Sequence, residues 1–518
     1  MRSIYTCAAF AAATLICLPA TAQLSFGGHP LGTDRANGLP NVPVVEMPAV
    51  DVDALKAEDA LRAEQGIKGP YRFGFNHHVD LGLENSGVWH TLSNGDRVWR
   101  LSVRCAGAYS INLEFHEYII PVGAQVFVYN DQDEVLGAFE AGSNPGQDQL
   151  GVTQLAGDMI TIEYVEPRSV RGQGRLRVGQ VTHAYRDIVG AGKSLGDSGD
   201  CNNNVICPLG DAVRDQIRSV AMITVGGDGI CTGQLINNCD NDGTPYFLTA
   251  NHCLGGSNWV FRFNWNSPTC TQTANGPMNQ SVSGFTLLEN SAGSDVALLR
   301  LNTAPPASYN VYFSGWDKSA TPATSVTAIH HPSGDIKKIS KENQAVITAT
   351  YGGASCWRVA GWDDGTTEGG SSGSGLWNQN GLLVGQLFGG QASCDFNFND
   401  NYGRFSVSYP LLDEWLGTCG NTLEGTDLPT SILEANSAGA VQIAPNPSTG
   451  VVTVSVLRGV VATQVRVLDA LGRVVEQKTI NAGMERIQLD LSTEREGLYF
   501  VEVNTGSTRM VERLVLTH

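Results

Sequence analysis

Charge is scarce in this chain, and positive charge is scarcer. Asp, Glu, Lys and Arg make up 16% of 518 residues, with 33 basic against 51 acidic side chains and a net charge of −18. A protein that neutralises phosphates needs a basic patch, so no nucleic-acid partner is expected. Cys-x-x-Cys pairs are missing, which argues against a zinc ribbon or finger. Between Cys201 and Leu423 no helix-length apolar stripe appears before YPLLDEWLG, so this stretch is not a helical bundle. The N-terminal apolar stretch, Cys7 to Leu18, falls short of the roughly 20 residues that span a bilayer.

What is present fits a turn-rich, exported β protein. Hydrophobic residues reach 42%, enough for real cores, and there are 60 glycines. Arg2, the apolar stretch and the small residues Ala20-Thr21-Ala22 predict a signal peptide over residues 1–22. Of 12 cysteines, Cys7 and Cys17 lie in this leader, Cys105 stands alone, and the rest fall between Cys201 and Cys419. In an exported chain that clustering reads as disulfides. Nine is odd, so at least one of these thiols is left over.

The pattern along the chain predicts a propeptide over 23–193, with a short helix near Val52 to Glu64 and a small β-sandwich over about 71–165. Its strands read as RVWRLSVRC, YSINLEF, AQVFVYN and MITIEYV. The basic, then Gly-rich stretch from Glu166 to Ser198 is expected to be exposed and open to cleavage. Many short apolar runs follow to about Leu423, the texture of a two-barrel β enzyme, over 194–425. Residues 426–440 read as a linker, and 441–518 as a second small sandwich.

Three segments of the central block carry chemistry. His252 lies in PYFLTANHC, Asp295 precedes the apolar run VALLRL, and Ser372 lies in TEGGSSGSG. A serine hydroxyl attacks a carbonyl only if a base takes its proton and donors stabilise the oxyanion. His252 can be that base, and a carboxylate behind it fixes its tautomer. Ser371 and Ser374 are rival nucleophiles. Ser372 alone has Gly two positions before and Gly immediately after, which allows a tight bend. The same bend can aim the backbone N–H groups of Gly370 and Ser372 at one oxyanion. Taken singly, each of these patterns is common in structural loops. Their order, His then Asp then Ser, is what points to a chymotrypsin-type protease.

From about Cys201 to Gly425 the chain resembles the lysyl endopeptidases, a secreted bacterial branch of the chymotrypsin-like serine proteases. The resemblance rests on CNNNVICPLGD, PYFLTANHC, FSGWDKS, AIHHPSGDIKKIS, GTTEGGSSGSG, GQLFGG and DNYGR. It implies an all-β, two-barrel fold and the triad His252, Asp295 and Ser372. It implies the disulfides Cys201–Cys394, Cys207–Cys270 and Cys231–Cys253, and it leaves Cys239, Cys356 and Cys419 unassigned. It also implies cutting after Lys, with Asp400 at the base of the specificity pocket. Where the family pairs a Trp with a His beside that pocket, this chain has Tyr351 and Phe388, which leaves Lys against Arg open. Lys193, just before the expected mature start, offers a self-cleavage point. His330 and His331 read as structural, because neighbours on a strand face opposite ways. The turn Asp240 to Gly243 lacks the later Glu of a calcium loop. No metal and no cofactor are expected.

Residues 441–518 resemble the type A C-terminal sorting domain of the type IX secretion system, through APNPSTG, VRVLDALGRVV, GLYFVEV and RLVLTH. This implies export, with the secretion machinery as a partner. The remaining expected partners are protein or peptide substrates and the chain's own propeptide as inhibitor, on a monomer. Two other readings stand beside this one: a protease of Arg or broad specificity, and a surface adhesin on an inactive protease scaffold.

Overall fold

The structure is a computed structural model that describes the chain apart from residues 1–27, 35–37, 66–68, 191–197, 257, 272–273, 275, 428–440, 457–461, 470–473, 480–485, 506–508 and 518. The expected signal peptide, Lys193 and nearly all of the expected linker therefore lie outside the described residues.

The N-terminal lobe is a sandwich of two sheets. One runs in the order Val44–Glu46, Arg97–Arg104, Met159–Glu166, Gln125–Asn130, Val135–Phe139, with Val88–Thr91 also paired to Arg97–Arg104. The other runs Gly74–Gly82, Arg175–Ala184, Ser110–Ile119, Leu150–Ala156. Alternation drives this packing, since residues two apart share a face of a strand. Leu101 and Val103, Ile111 and Leu113, Val126 and Val128, and Ile160 and Ile162 all enter one core. The expected helix is observed over Val52–Glu64.

One expectation is corrected. The stretch after Glu166 is not simply exposed. Arg175–Ala184 is an interior strand, hydrogen-bonded to Gly74–Gly82 on one side and Ser110–Ile119 on the other. Its basic look comes from Arg175 and Arg177 at its start, which pair with Glu117 and Asp80. Val178 and Val181 behind them are fully buried.

The protease lobe is all-β and two-barrelled. Its first sheet runs Ser281–Ser283, Val260–Phe263, Val220–Val225, Gly229–Leu235, Tyr246–Ala250, Val296–Leu301, Phe285–Ser291. Its second runs Asn203–Asn204, Lys338–Glu342, Val326–His330, Gly375–Asn378, Leu383–Gly389, Phe398–Arg404, Ala354–Gly361, Ile347–Tyr351. Ala221, Ile223 and Val225 fill the first core with Phe247, Phe261 and Leu299. Val326, Trp357, Val359, Leu376 and Tyr402 fill the second. Between the halves lie Leu248, Leu298, Trp316, Ile329 and Trp377, with Phe405 and Leu412 from the closing helix Phe405–Leu416. Trp316 and Trp377 are fully buried, and their indole N–H groups still bond, to Asn237 O at 2.9 Å and Ser314 Oγ at 2.7 Å. Thr426–Asp427 pairs with Tyr312–Phe313, so a strand reaches into the stretch read as linker.

The disulfides Cys201–Cys394, Cys207–Cys270 and Cys231–Cys253 are formed, and Cys239–Cys419 is a fourth. Bridges of this kind typically stabilise by about 2–4 kcal/mol each. Cys239–Cys419 ties the end of the closing helix to the turn before Tyr246–Ala250. Cys105 and Cys356 are buried free thiols. No helix among the described residues is long and apolar enough to cross a membrane.

Residues 430–518 belong to a separate unit. Its sheets run Val441–Ala444, Val451–Val456, Arg486–Asp490 and Val474–Thr479, Ala462–Asp469, Gly497–Thr505, Arg509–Leu516. Val452, Val454, Val465, Val467, Ile487, Leu489, Val501 and Leu514 form their common core.

Candidate active site

Asp295 sits on the turn that enters Val296–Leu301, with φ of +51°. That left-handed conformation is uncommon for a residue with a side chain, though Asp tolerates it better than most. It turns the carboxylate back under the turn Asn251–Cys253. Asp295 Oδ2 is 2.7 Å from His252 Nδ1, and Oδ1 accepts the His252 backbone N–H at 2.9 Å. The Asp295 side chain is 2% exposed, the His252 side chain 9%. With Nδ1 engaged by a carboxylate, the ring presents Nε2 outward as the proton acceptor. Cys231–Cys253 pins the next residue of this turn.

Ser372 approaches from the second barrel. Its carbonyl accepts the N–H of Thr232, at 2.8 Å, on the strand that carries Cys231. Ser371 and Ser374 are fully buried, whereas Ser372 is half-buried. Ser371 Oγ is committed to His330 Nδ1 at 2.8 Å. Ser372 Oγ makes no hydrogen bond among the described residues. Such bonds in unliganded enzymes often tighten only when substrate arrives.

Two glycines shape the loop that carries Ser372. Gly370 has φ of +93° and Gly373 has φ of +82°. A Cβ on Gly373 would meet Thr249 Oγ1 at 2.1 Å and Thr232 O at 2.4 Å. Gly373→Ala should therefore displace the loop and destabilise the chain by about 1–3 kcal/mol. Thermal unfolding together with peptidase rate checks this, and the rate should fall even where the fold survives. Among the described residues, neither Gly370 N–H nor Ser372 N–H is taken by an acceptor within the chain.

Of the residues expected beside the pocket, Phe388 packs on His252 and Tyr351 packs on Phe388. Phe388 stacks on His252 with ring centroids 5.6 Å apart and planes 28° from parallel. Tyr351 packs its edge against Phe388 at 5.2 Å. Asp400 is 1% exposed, and its Oδ2 accepts Trp362 Nε1–H at 2.8 Å and Thr367 Oγ1–H at 2.7 Å. Gly390 lies against Asp400 Oδ1, where a Cβ would come to 2.2 Å. A side chain at 390 would cover that oxygen.

The lysyl endopeptidase C-terminal domain family matches residues 195–406, and the secretion system C-terminal sorting domain matches residues 442–517. A lysyl endopeptidase of Pseudomonas aeruginosa is 31% identical over 366 residues, which cover 63% of this chain and 77% of that protein. The chain belongs to the lysyl endopeptidase family. It is a serine endopeptidase, and its tail is a sorting domain for export. Solved structures that it resembles include a Glu endopeptidase, 18% identical with a TM-score of 0.29, covering 43% of this chain and 99% of that one. Another is a Mycobacterium tuberculosis protease in its active form, 17% identical with a TM-score of 0.28, covering 41% and 86%.

Several residues that position this lysyl endopeptidase family member's site carry no signal in the sequence. Thr232 accepts His331 N–H through Oγ1 and donates from Oγ1 to Gly370 O, so it holds the loop that carries Ser372 from the opposite barrel. Trp362 and Thr367 hold Asp400. Glu368 gathers Gly199 N, Asn202 Nδ2 and Ser333 Oγ at 2.7–2.9 Å. His330 and His331 are both fully buried. His331 Nδ1 is 2.9 Å from Asp335 O, and His330 bridges Ser371 and Ser340.

Proposed function

We propose that the matured enzyme hydrolyses peptide bonds after lysine through an acyl-enzyme. Ser372 Oγ attacks the carbonyl carbon while its proton passes to His252 Nε2. Asp295 holds the imidazolium that forms, and the N–H groups of Gly370 and Ser372 receive the oxyanion. His252 then gives the proton to the departing amine, and water repeats the cycle on the ester. No cofactor enters. The observation that carries the lysine reading is the buried Asp400 carboxylate, braced through one oxygen with Gly390 against the other. A lysine ammonium leaving water needs such a partner. The test is a set of peptides that differ only in Lys, Arg or Ala before the cut. Lys should be preferred. Equal rates for Lys and Ala would remove the role of Asp400, and equal rates for Lys and Arg would favour the broader reading.

The enzyme is made as a latent monomer. In this reading residues 1–22 direct export, 23–193 are the propeptide, 194–425 the protease and 441–518 the tail read by the type IX machinery. Latency is supported by how the propeptide meets the protease. Tyr71–Arg72 adds as an antiparallel strand to Gly229–Ile230, on the strand that carries Cys231. Strand addition to an exposed edge is a common way to bind peptides. The Tyr71 ring lies against Gly369, where a Cβ would come to 2.7 Å, next to the proposed oxyanion hole. Arg72 and Arg186 both pair with Asp59 of the helix Val52–Glu64, and Tyr185 Oη donates to it at 2.7 Å. Phe73, Ile188 and Val189 bury against Met222, Ile230 and Ile336. The fully buried Arg262 donates to Thr153 and Gln154 of the propeptide.

Asp59→Ala should loosen this seat by about 1–3 kcal/mol, because two guanidinium groups lose their shared acceptor. The uncleaved proform should then turn over a lysyl peptide about 5- to 150-fold faster than the unmodified proform. Initial rates taken before cleavage products appear will show this. N-terminal sequencing of the secreted form should find it starting after Lys193.

A further inference from the structure

The propeptide sandwich holds three side chains with ligand chemistry and no other task. His77 is on the strand Gly74–Gly82 and His183 on the adjacent Arg175–Ala184. His77 faces Val181 across the ladder, so His183, two residues on, shares its face. That face looks into the sandwich. Neighbours one residue away, Asn76 and Gln180, point outward and donate to Gly226 O of the protease. Cys105 follows the last residue of Arg97–Arg104, in the other sheet, and its N–H is fixed on Asp158 O at 2.9 Å. One ligand atom from each of His77, Cys105 and His183 falls within 4.8 Å of the others, and all three residues are buried.

We propose that His77, Cys105 and His183 form a binding site for a thiophilic divalent metal ion, zinc above all, that staples the two sheets of the propeptide together. Three observations lead there. First, both ring nitrogens of His183 and Nε2 of His77 have no hydrogen-bond partner among the described residues, although His183 is only 3% exposed. Buried polar groups in folded proteins are nearly always paired, so this cluster lacks something. Second, the Cys105 thiol has no disulfide partner. Third, two imidazoles and a thiolate are the donor set that zinc takes in tetrahedral sites, with a fourth position left for solvent or another oxygen. Tetrahedral ligands at about 2.0–2.3 Å from the ion stand about 3.3–3.7 Å apart. The three atoms therefore need to draw in by only about 1 Å, within reach of small χ changes. Burial pushes both imidazoles below their usual range, and it pushes the Cys105 thiol up to about 12. Binding releases the Cys105 thiol proton to solvent as the sulfur–metal bond forms.

Two ligands come from adjacent strands of one sheet and the third from the end of a strand in the other, so the site exists only when the sandwich is closed. His183 also leads directly into Tyr185 and Arg186, which grip Asp59. A bound ion would therefore stiffen the segment that seats the propeptide on the protease.

The test uses the full exported chain carrying Ser372→Ala, so that it cannot process itself. After dialysis against chelator, zinc is restored, excess is removed by gel filtration, and bound metal is counted by mass spectrometry. One zinc per chain is expected, with a raised midpoint of thermal unfolding. Adding His78→Gln, on the outward face, should keep the zinc; adding His183→Gln or Cys105→Ala should lose it. Cobalt(II) in place of zinc should give a thiolate charge-transfer band that survives Cys356→Ser and vanishes with Cys105→Ala. This cobalt readout needs no ligand variant to fold, since the band must already appear in the parent chain. Absence of retained zinc and of the cobalt band in the parent chain overturns the proposal, as does full zinc retention without Cys105 and His183. Failure here leaves the protease reading untouched, since no catalytic readout enters.

Discussion

Replacing Ser372 by Ala is expected to lower kcat by about four to six orders of magnitude, while Ser371→Ala keeps most of the activity. The neighbours differ in what surrounds them. Ser371 Oγ sits at zero exposure, bonded to His330 Nδ1 and to the Glu368 N–H. A hydroxyl so placed has no room for a carbonyl carbon. Its loss would strand His330 and cost about 1–3 kcal/mol of stability, visible as a lower Tm. Burial pushes His330 down to about 3 and His331 well below the usual histidine range, so neither titrates near neutrality. A pH dependence of turnover near neutrality then has to come from elsewhere. A covalent serine-directed inhibitor measures the point directly. Labelling should persist in Ser371→Ala and disappear in Ser372→Ala. The opposite pattern would move the nucleophile, and no labelling in the parent mature enzyme would remove Ser372 from that role.

The segments carrying the proposed triad stand out in the sequence because each is local: a strand end before His252, an acid ahead of an apolar strand, a glycine-framed turn around Ser372. Period-two alternation similarly disclosed most strands. What stayed hidden depends on pairing at a distance. Cys239–Cys419 joins positions 180 residues apart. Nothing in either segment names the other, and only the fold leaves Cys356 as the unpaired thiol of the protease lobe. The sequence of Arg175–Ala184 suggests an exposed segment because Arg175 and Arg177 at its head mask the buried residues behind them. Thr232 gives no signal either, since a threonine on a buried strand looks like any other until Gly370 is found opposite. His77, Cys105 and His183 fail the usual spacing rules for the same reason: three distant stretches supply one residue each.

The second large effect is expected at Asp400. Asp400→Asn should cut kcat/KM for lysyl substrates by about 10²- to 10⁴-fold, the equivalent of about 3–5 kcal/mol for breaking a buried ion pair. Asn is the informative change because the local bonds dictate how it sits. Trp362 Nε1–H and Thr367 Oγ1–H both donate to Oδ2, so the amide must put its carbonyl oxygen there. Its NH2 group then occupies the place of Oδ1, against Gly390. A lysine ammonium arriving on that side would meet a donor instead of a carboxylate, losing attraction and gaining repulsion. A substrate with Ala before the cut should lose little, so the ratio of Lys to Ala rates collapses while kcat for the poor substrate holds. Asp400→Ala would confound the result, since it leaves the Trp362 and Thr367 donors without their acceptor, at about 1–3 kcal/mol each. Thr367 lies five residues before Ser372, so that damage would reach the nucleophile loop. If Asp400→Asn instead spared the Lys to Ala ratio and lowered only Tm, the carboxylate would be a brace for Trp362 and Thr367, and lysine recognition would have to be sought elsewhere.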